Sequence, residues 1–210
     1  MQLLRIDSSA RERSVTRYLT AAFRDAWIQR HPSGVVVERD LSRTVLPHIT
    51  QEWDATFRSA DDLTAAQLQY LTFSDQVIAE LLGSDLIVIG APMHNFTISW
   101  ELKAWVDQIV RVGKTIGHGA NGLVGLAGGR KVVVITARGG DYSPGSPRAR
   151  LDHQEPYLRD IFAFIGIREI EVIHADRQIG AAAATSRAAA LAAAERLGGL
   201  SAAPPPVAVA

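Results

Sequence analysis

The sequence predicts a three-layer α/β fold, in which a parallel five-stranded β-sheet lies between layers of helices. Short runs rich in β-branched residues alternate with longer segments of helical period, and this alternation is typical of parallel sheets. Residues 86–89 and 132–135 are apolar at every position, as in central strands that helices cover on both faces. A chain of 210 residues with 47% hydrophobic content is also long enough to bury one sizeable core.

Five segments are predicted to form the strands. They are residues 3–7, 35–39, 86–91, 131–137 and 169–174. The third and fourth of these are the most apolar, so we expect them at the centre of the sheet and the other three nearer its edges.

Five helices are predicted between and after these strands. They cover about residues 15–31, 64–82, 99–112, 153–165 and 182–197. Ser14, Thr64 and Ser99 stand where a hydroxyl accepts a hydrogen bond from the first backbone N–H groups of a helix. Ten of the fourteen residues in 181–194 are alanine, which favours a final helix that packs closely against the sheet.

Two further segments complete the predicted domain organisation. Residues 40–63 form a long connection whose apolar side chains, among them Pro47, Trp53 and Phe57, predict that it packs on the rest of the molecule. Consecutive prolines at 204–206 cannot continue a helix, so we expect residues 201–210 to form a disordered tail. Residues 1–200 are then predicted to form a single domain.

The composition excludes several functional classes. The 22 basic and 22 acidic residues balance, so no charge excess indicates nucleic acid or an anionic membrane as a partner. The lack of cysteine excludes disulfides, thiolate nucleophiles, iron–sulfur clusters and cysteine-based zinc sites. The six histidines are scattered, so no metal site is expected. A polar first segment and the lack of any apolar run of about 18 residues lead us to expect a cytoplasmic protein.

The loop after the first strand is a candidate anion site. In an open doubly wound sheet, ligands bind beyond the carboxyl ends of the strands. This loop runs directly onto a helix start, where unpaired N–H groups favour an anion, and Ser9, Ser14 and Thr16 add hydroxyls around Val15. That set suits one terminal monophosphate. The alternative is that Ser14 is only an N-cap and the other hydroxyls only keep the loop soluble.

The loops after the third and fourth strands are expected at the same edge of the sheet. The first carries bulky, polarizable side chains where a sheet edge is normally solvated, which favours a planar ligand or a partner surface. The second has paired glycines that let backbone N–H groups face a ligand. The candidate residues are Met93, His94, Asn95 and Phe96 in one loop and Ala137, Arg138, Gly139 and Gly140 in the other. The alternatives are that Met93 and Phe96 fold back into the core and that the glycines form an ordinary turn.

Residues 117–122 match the pattern GxGxxG of dinucleotide-binding loops. The match follows a predicted helix and precedes a predicted strand, which is the reverse of the context that the dinucleotide site requires. We therefore interpret this segment as a flexible loop.

Four sets of residues resemble one known family when they are taken in order along the chain. They are Ser8 and Ser9 with residues 14–16, residues 91–96 with Leu102, Lys103 and Asp107, residues 136–140, and Tyr157 and Leu158 with residues 164–167. The combination covers residues 1–200 and is similar to the FMN-dependent NADH azoreductases, which also act as NAD(P)H:quinone oxidoreductases. The resemblance implies a flavodoxin-like fold of strand order 2-1-3-4-5 and a single FMN-binding domain.

The resemblance also implies roles for the candidate residues. Ser9 and residues 14–16 would hold the FMN phosphate, while residues 93–96 and 137–140 would border the isoalloxazine ring. NADH or NADPH would deliver a hydride to N5 of FMN and leave, and a quinone or azo substrate would then use the same slot. No covalent nucleophile is implied. His94, where relatives often have tyrosine, is a candidate proton donor.

A homodimer is a further implication of the resemblance. The family places two flavin sites at the subunit interface, so Trp100 and Trp105 are expected to face a partner. Residues 116–129 depart from the family, because relatives carry aromatic residues over the flavin in this stretch. The preferred substrate is therefore left open.

Three alternative functions follow from the same fold class. The first is a non-enzymatic flavodoxin-type electron carrier, although such carriers are usually acidic and this chain is neutral. The second is a phospho-receiver domain, which needs an aspartate where this chain has Gly90, Ala91 and Pro92. The third is dinucleotide binding in the Rossmann manner, which the glycine-free first loop disfavours although Asp40 stands where a ribose-binding acid is expected.

Overall fold

The computed structural model of the chain, which describes residues 1–57, 63–120 and 122–200, has a parallel five-stranded sheet. A separate antiparallel hairpin lies between the third and fourth strands of that sheet. The strands of the sheet are β1 (Gln2–Asp7), β2 (Val35–Asp40), β3 (Leu86–Pro92), β6 (Lys131–Ala137) and β7 (Glu169–Ala175), and the hairpin is formed by β4 (Ile116–Gly119) and β5 (Gly122–Gly125). The order across the sheet is β2-β1-β3-β6-β7.

The five predicted strands are confirmed, and each predicted boundary lies within one residue of the observed one. The strand numbers differ from the predicted 2-1-3-4-5 because the hairpin takes the fourth and fifth places along the chain. β2 and β7 lie at the edges of the sheet, as expected. β1, which was also expected nearer an edge, has a neighbouring strand on both sides.

The prediction of a flexible loop at residues 117–122 is wrong, because residues on both sides of 120–121 pair as antiparallel strands. Asn121 itself lies outside the described residues. Gly125 at the end of β5 lies directly against the backbone of another segment, where an added Cβ would come within 2.1 Å of the Gly166 nitrogen. The glycines thus permit close backbone packing of a hairpin as well as conformational freedom.

The helices are α1 (Val15–Arg30), α2 (Ala65–Leu82), α3 (Trp100–Ile109), α4 (Glu155–Phe164) and α5 (Ala183–Gly198). The predicted N-caps are confirmed, since Ser14, Thr64 and Ser99 each accept a hydrogen bond from a backbone N–H in the first turn. α3 ends earlier than predicted. Gly113 has a φ of 77° in the turn that follows, a backbone conformation that no α-helix contains.

Two apolar layers flank the sheet, because side chains that alternate along each strand point to opposite faces. Val88 and Val133 pack with Phe23 and Trp27 of α1 and with α5. The opposite layer contains Ile87, Val132, Trp105 of α3 and Phe162 of α4, together with α2 side chains. Trp105 is fully buried in this layer, so the expectation that it faces a partner is wrong. Its apolar ring is part of the core.

The first part of the connection after β2 packs on the molecule, as predicted, whereas residues 58–62 and the side chain of Phe57 lie outside what the structure describes. Leu41 and Leu46 are buried in the same apolar layer as Ile87. A short 3-10 helix at Gln51–Phe57 follows, and Asp54 there accepts a hydrogen bond from Gln67 at the start of α2. The predicted tail at residues 201–210 lies outside the described residues.

Residues 1–57, 63–120 and 122–200 contain neither a membrane-spanning helix nor a cluster of metal ligands. No helix there combines the length and the apolar character that a membrane crossing requires. In the same ranges, no three His, Asp or Glu side chains come together in a way that could bind a metal ion.

Candidate functional site

The carboxyl ends of β1, β3 and β6 are neighbours, which brings the three predicted loops to one edge of the sheet. Asp7 at the end of β1 is in register with Gly90 of β3, and Pro92 at the end of β3 is in register with Ala137 of β6. The strand order reverses on going outward from β1 and β3, and ligands in such sheets bind at this point.

The first loop is tied to the neighbouring strand. The Ser8 hydroxyl and backbone N–H both donate to the carbonyl oxygen of Gly90, over 2.8 and 3.2 Å. The carbonyl oxygen of Ser8 in turn accepts a hydrogen bond of 3.3 Å from the Ser99 hydroxyl at the start of α3. The path of the loop is thus fixed where it leaves the sheet.

The helix start beyond this loop has the properties of an anion site. Ser9, Ser14 and Thr16 are all buried, and the hydroxyls of Ser14 and Thr16 lie 3.0 Å apart. Ser14 does act as an N-cap, because its hydroxyl accepts from the Arg17 N–H, so this part of the alternative interpretation is correct. In the part of the chain that the structure describes, the N–H groups of Val15 and Thr16 donate to no protein acceptor and remain available to an anion.

An arginine and an aspartate lie next to this helix start. Arg17 donates from Nε and Nη2 to the carbonyl oxygen of Ser9 over 2.9 and 2.6 Å, and its guanidinium also binds both carboxylate oxygens of Asp40 over 2.7 and 2.8 Å. Burial tends to raise the pKa of Asp40, but hydrogen bonds from Arg17 and Ser42 outweigh it and hold that pKa below its ordinary value. The carboxylate of Asp40 is therefore already engaged, which disfavours a ribose-binding role.

The loop after β3 is a tight turn with an unusual backbone. The N–H groups of His94 and Thr97 donate to each other's carbonyl oxygens over 2.9 and 3.1 Å. The two central residues, Asn95 and Phe96, have φ values of 48° and 74°, as in the type I′ turns that join twisted strands. A positive φ at a phenylalanine is rare and costs about 1–3 kcal/mol.

Side chains of this turn face outward. Phe96 is 42% exposed, and His94 and Asn95 are exposed as well, while Met93 is half-buried. The alternative that Phe96 folds back into the core is therefore wrong. In the ranges given above, the N–H groups of Asn95 and Phe96 have no protein acceptor. The strained turn holds an aromatic ring and two free donors at the sheet edge.

The loop after β6 is bound to the loop after β3. The Met93 N–H donates to the Ala137 carbonyl oxygen over 3.0 Å. Gly139 and Gly140 follow, and among the described residues their N–H groups have no protein acceptor. A Cβ on Gly140 would lie 2.6 Å from the Arg148 side chain, so a bulkier residue would require that arginine to move.

Arg138 has an internal role that its sequence position does not suggest. Its side chain is 1% exposed and forms ion pairs of 2.5 Å with Asp152 and with Asp176. The guanidinium also lies 5.4 Å from the ring centre of Tyr142. Only the backbone of Arg138 is left to border a ligand.

Three residues of the site were missed by the sequence analysis. Tyr142 packs edge-on against Phe96, with 6.4 Å between the ring centres. The Gln154 side chain donates over 3.0 Å to the carbonyl oxygen of Ala91, and the His153 N–H donates to that of Phe96. The segment before α4 thus supports the turn after β3. No local pattern marks this, because the partners are about 60 residues apart along the chain.

His174 on β7 lies behind the loop after β6. Its two ring nitrogens lie 2.9 Å from the Glu155 carboxylate and 3.0 Å from the Thr136 hydroxyl. Burial lowers the pKa of His174, and the nearby charge of Arg138 lowers it further, against the opposing effect of the carboxylates of Glu155, Asp176 and Asp152. This histidine therefore favours its neutral form in the folded chain.

Comparison with known proteins gives one family and close relatives. The model of a family with a flavodoxin-like fold matches residues 1–197. An FMN-dependent NADH:quinone oxidoreductase of Nostoc punctiforme is 44% identical over 178 residues, which are 84% of this chain and 87% of that protein. An FMN-dependent NADH:quinone oxidoreductase 1 of Trichormus variabilis is 46% identical over 178 residues, 84% of each chain. Among solved structures, an azoreductase from Bacillus anthracis superposes with a TM-score of 0.87 at 29% identity and covers 95% of this chain and 99% of its own.

Proposed function

The chain belongs to the flavodoxin-like fold family matched over residues 1–197, and on that premise we propose that it is an FMN-dependent NADH:quinone oxidoreductase that also reduces azo compounds. The relatives that are 42–46% identical to it carry the quinone oxidoreductase name, and the azoreductase structure has the same fold. These names favour an enzyme over the flavodoxin-type electron carrier. The balanced charge of the chain agrees with this choice.

The chemistry of the donor set at the sheet edge fits FMN. Buried hydroxyls and two free N–H groups at the start of α1 match the oxygen atoms of one phosphate monoester. The free N–H groups of the other two loops match the carbonyl oxygens and ring nitrogens of a flavin. We assign Ser9, Ser14, Val15 and Thr16 to the phosphate, and residues 93–96 and 137–140 to the ring.

The protein's part in the reaction is to hold the cofactor and shape its surroundings. When bound, FMN accepts a hydride from NADH and passes the electron pair to a quinone or azo substrate. With FMN bound, the N–H groups of Asn95, Phe96, Gly139 and Gly140 would donate hydrogen bonds to the ring and so stabilise negative charge on it. Arg138 adds no free positive charge there, since Asp152 and Asp176 neutralise it.

A reconstitution experiment tests the proposed function. We expect the purified protein to be yellow, to release FMN on heating, and to bind one FMN per chain again after the flavin is removed. Loaded protein is then assayed with NADH or NADPH against a benzoquinone and against an azo dye. A colourless protein that binds no added FMN would contradict the proposal, and FMN binding without NADH oxidation would favour the electron carrier.

The proposal extends to the state of the protein in the cell. We place it in the cytoplasm as a homodimer of one FMN-binding domain per chain, residues 1–200, with residues of both subunits at each flavin. Support for an interface comes from apolar side chains that are 42–59% exposed, and these include Phe96, Trp100, Leu123 and Leu126. Trp100 also stacks on His48, with 6.2 Å between the ring centres. Sedimentation of the loaded protein tests this, and a monomer at micromolar concentration would contradict it.

A further inference from the structure

Arg17 lies beside the phosphate loop, and the geometry points to a positioning role for it. We propose that Arg17, anchored by Asp40, clamps the carbonyl oxygen of Ser9 and so sets the conformation of the loop that receives the FMN phosphate, without binding the phosphate itself. This inference rests on the proposed function, because the phosphate is that of FMN.

The contacts to Ser9 are the first step. Two nitrogens of one guanidinium, Nε and Nη2, donate to the same carbonyl oxygen over 2.9 and 2.6 Å. Charge-assisted hydrogen bonds of this kind are among the stronger ones in proteins. They hold a peptide unit within residues 8–14, a loop that contains no glycine and is otherwise fixed mainly at Ser8. Because Arg17 belongs to the first turn of α1, the loop is locked to the helix whose N–H groups face the anion.

The contacts to Asp40 are the second step. The guanidinium binds both carboxylate oxygens, and Nη2 also donates to the Ser42 hydroxyl over 2.8 Å. Asp40 is the last residue of β2, and Ser42 donates to it from both its N–H and its hydroxyl. Asp40, which anchors the clamp, therefore belongs to the sheet itself, in the strand that pairs with β1.

The hydrogen bonds that the Arg17 guanidinium already makes within the protein distinguish a clamp from a phosphate ligand. Nε, Nη1 and Nη2 of Arg17 all have acceptors on the protein. The positive charge is balanced by the carboxylate of Asp40, and a second carboxylate, that of Asp7, lies 3.9 Å from Nη1. The hydrogen bond with Asp40 raises the pKa of Arg17, so the group stays charged. Among the described residues the N–H groups of Val15 and Thr16 have no acceptor, which leaves them for the phosphate.

A comparison of two flavins tests the clamp on the full-length protein. FMN and riboflavin share the ring, and only FMN carries the phosphate. The dissociation constant of each is measured by quenching of flavin fluorescence in wild type and in Arg17→Gln, Arg17→Lys, Asp40→Asn and the Arg17→Gln/Asp40→Asn double variant. Arg24→Gln is the matched control, because Arg24 also lies on α1 and pairs with acidic residues, Asp25 and Glu38, that belong to no part of the loop.

The clamp predicts a specific pattern of affinities. Arg17→Gln weakens FMN binding by about 10–100-fold and changes riboflavin binding by less than about twofold. FMN binding by Arg17→Lys stays as weak as that by Arg17→Gln, because a lysine cannot make the forked contact. Asp40→Asn also weakens FMN binding, by roughly 3–10-fold, although it removes a negative charge near an anion site. The effects of the double variant are not additive, since both residues act through one contact.

Other outcomes overturn the inference. Retained FMN affinity in Arg17→Lys, together with tighter FMN binding in Asp40→Asn, would show that Arg17 acts on the phosphate by charge. Equal loss of FMN and riboflavin would show a general structural role, and Asp40→Asn serves as the informative variant if Arg17→Gln does not fold. Failure of the wild type to bind either flavin would instead refute the proposed function, and the clamp with it.

Discussion

Phe96 adopts a left-handed backbone conformation at the centre of the turn after β3, and it is the residue with the clearest strain in the site. Glycine adopts such a φ without cost, whereas any residue with a Cβ does not. Phe96→Gly and Phe96→Ala both remove the ring and its contact with Tyr142. The two variants therefore differ only in the free-energy cost of a positive φ at this position. We expect Phe96→Gly to be more stable than Phe96→Ala by about 1 kcal/mol, measured by urea unfolding. Equal stability, or a more stable alanine variant, would contradict the strain.

His94 is exposed at the same turn, and its backbone is fixed by two hydrogen bonds with Thr97. Within the described residues, its imidazole has no hydrogen-bond partner and is free to meet a substrate. We therefore predict that His94→Ala slows the half-reaction with the quinone by about 100-fold, while the half-reaction with NADH is unchanged. Stopped-flow measurement of each half-reaction checks this. An unchanged rate of the half-reaction with the quinone would assign the proton to water.

His174 makes stability depend on pH in a definite direction. Its pKa in the folded chain lies below the ordinary value of 6.5, so as the pH falls through that value the unfolded chain takes up a proton that the folded chain does not. Stability is therefore lost as the pH decreases from about 7 to 5. We expect His174→Gln to lose less stability over this interval than the wild type, in urea unfolding at both pH values. Identical losses would show that His174 does not account for the effect.

At the scale of elements, the hairpin β4–β5 is attached to the body of the protein through the backbone of Gly125. A Cβ at this position would lie 2.3 Å from the Ile165 carbonyl carbon and closer still to Gly166. We predict that Gly125→Ala destabilises the protein by about 1–3 kcal/mol, because neither backbone can move without disturbing α4. Gly117→Ala in the same hairpin is the control, since the new methyl group would meet only the flexible side chain of Leu126. Thermal unfolding compares the two, and equal melting temperatures would contradict the contact.

The elements also show which features a sequence can and cannot predict. Strands such as β3 and β6 were located correctly because both their faces are buried, and this burial leaves an uninterrupted apolar run. The hairpin was missed because four of the eight residues in β4 and β5 are glycine, which weakens any strand pattern, and because Gly125 packs against Gly166 some 40 residues away. The hydroxyls at the start of α1 were predicted, since an N-cap is a local property. The ion pairs of Arg138 were not, because Asp152 and Asp176 come from separate segments.

At the scale of the whole molecule, cofactor binding is expected to stabilise the fold. A ligand that binds only the folded state at about 100 times its dissociation constant adds about 2.7 kcal/mol to the free energy of unfolding. For a domain of this size that corresponds to a rise in melting temperature of roughly 5–10 °C. We expect this rise with FMN and a smaller one with riboflavin at the same concentration, measured by circular dichroism. Equal shifts would argue against a phosphate site at the start of α1.

The position of β1 inside the sheet has a practical consequence for handling the protein. Gln2–Asp7 are hydrogen-bonded to β2 on one side and to β3 on the other. Removing even a few of these residues takes away hydrogen bonds to both neighbouring strands, whereas Met1 is 49% exposed at the amino ends of the strands, opposite the loops proposed to bind FMN. A purification tag attached at this end of the sheet therefore lies away from the loops proposed to bind FMN.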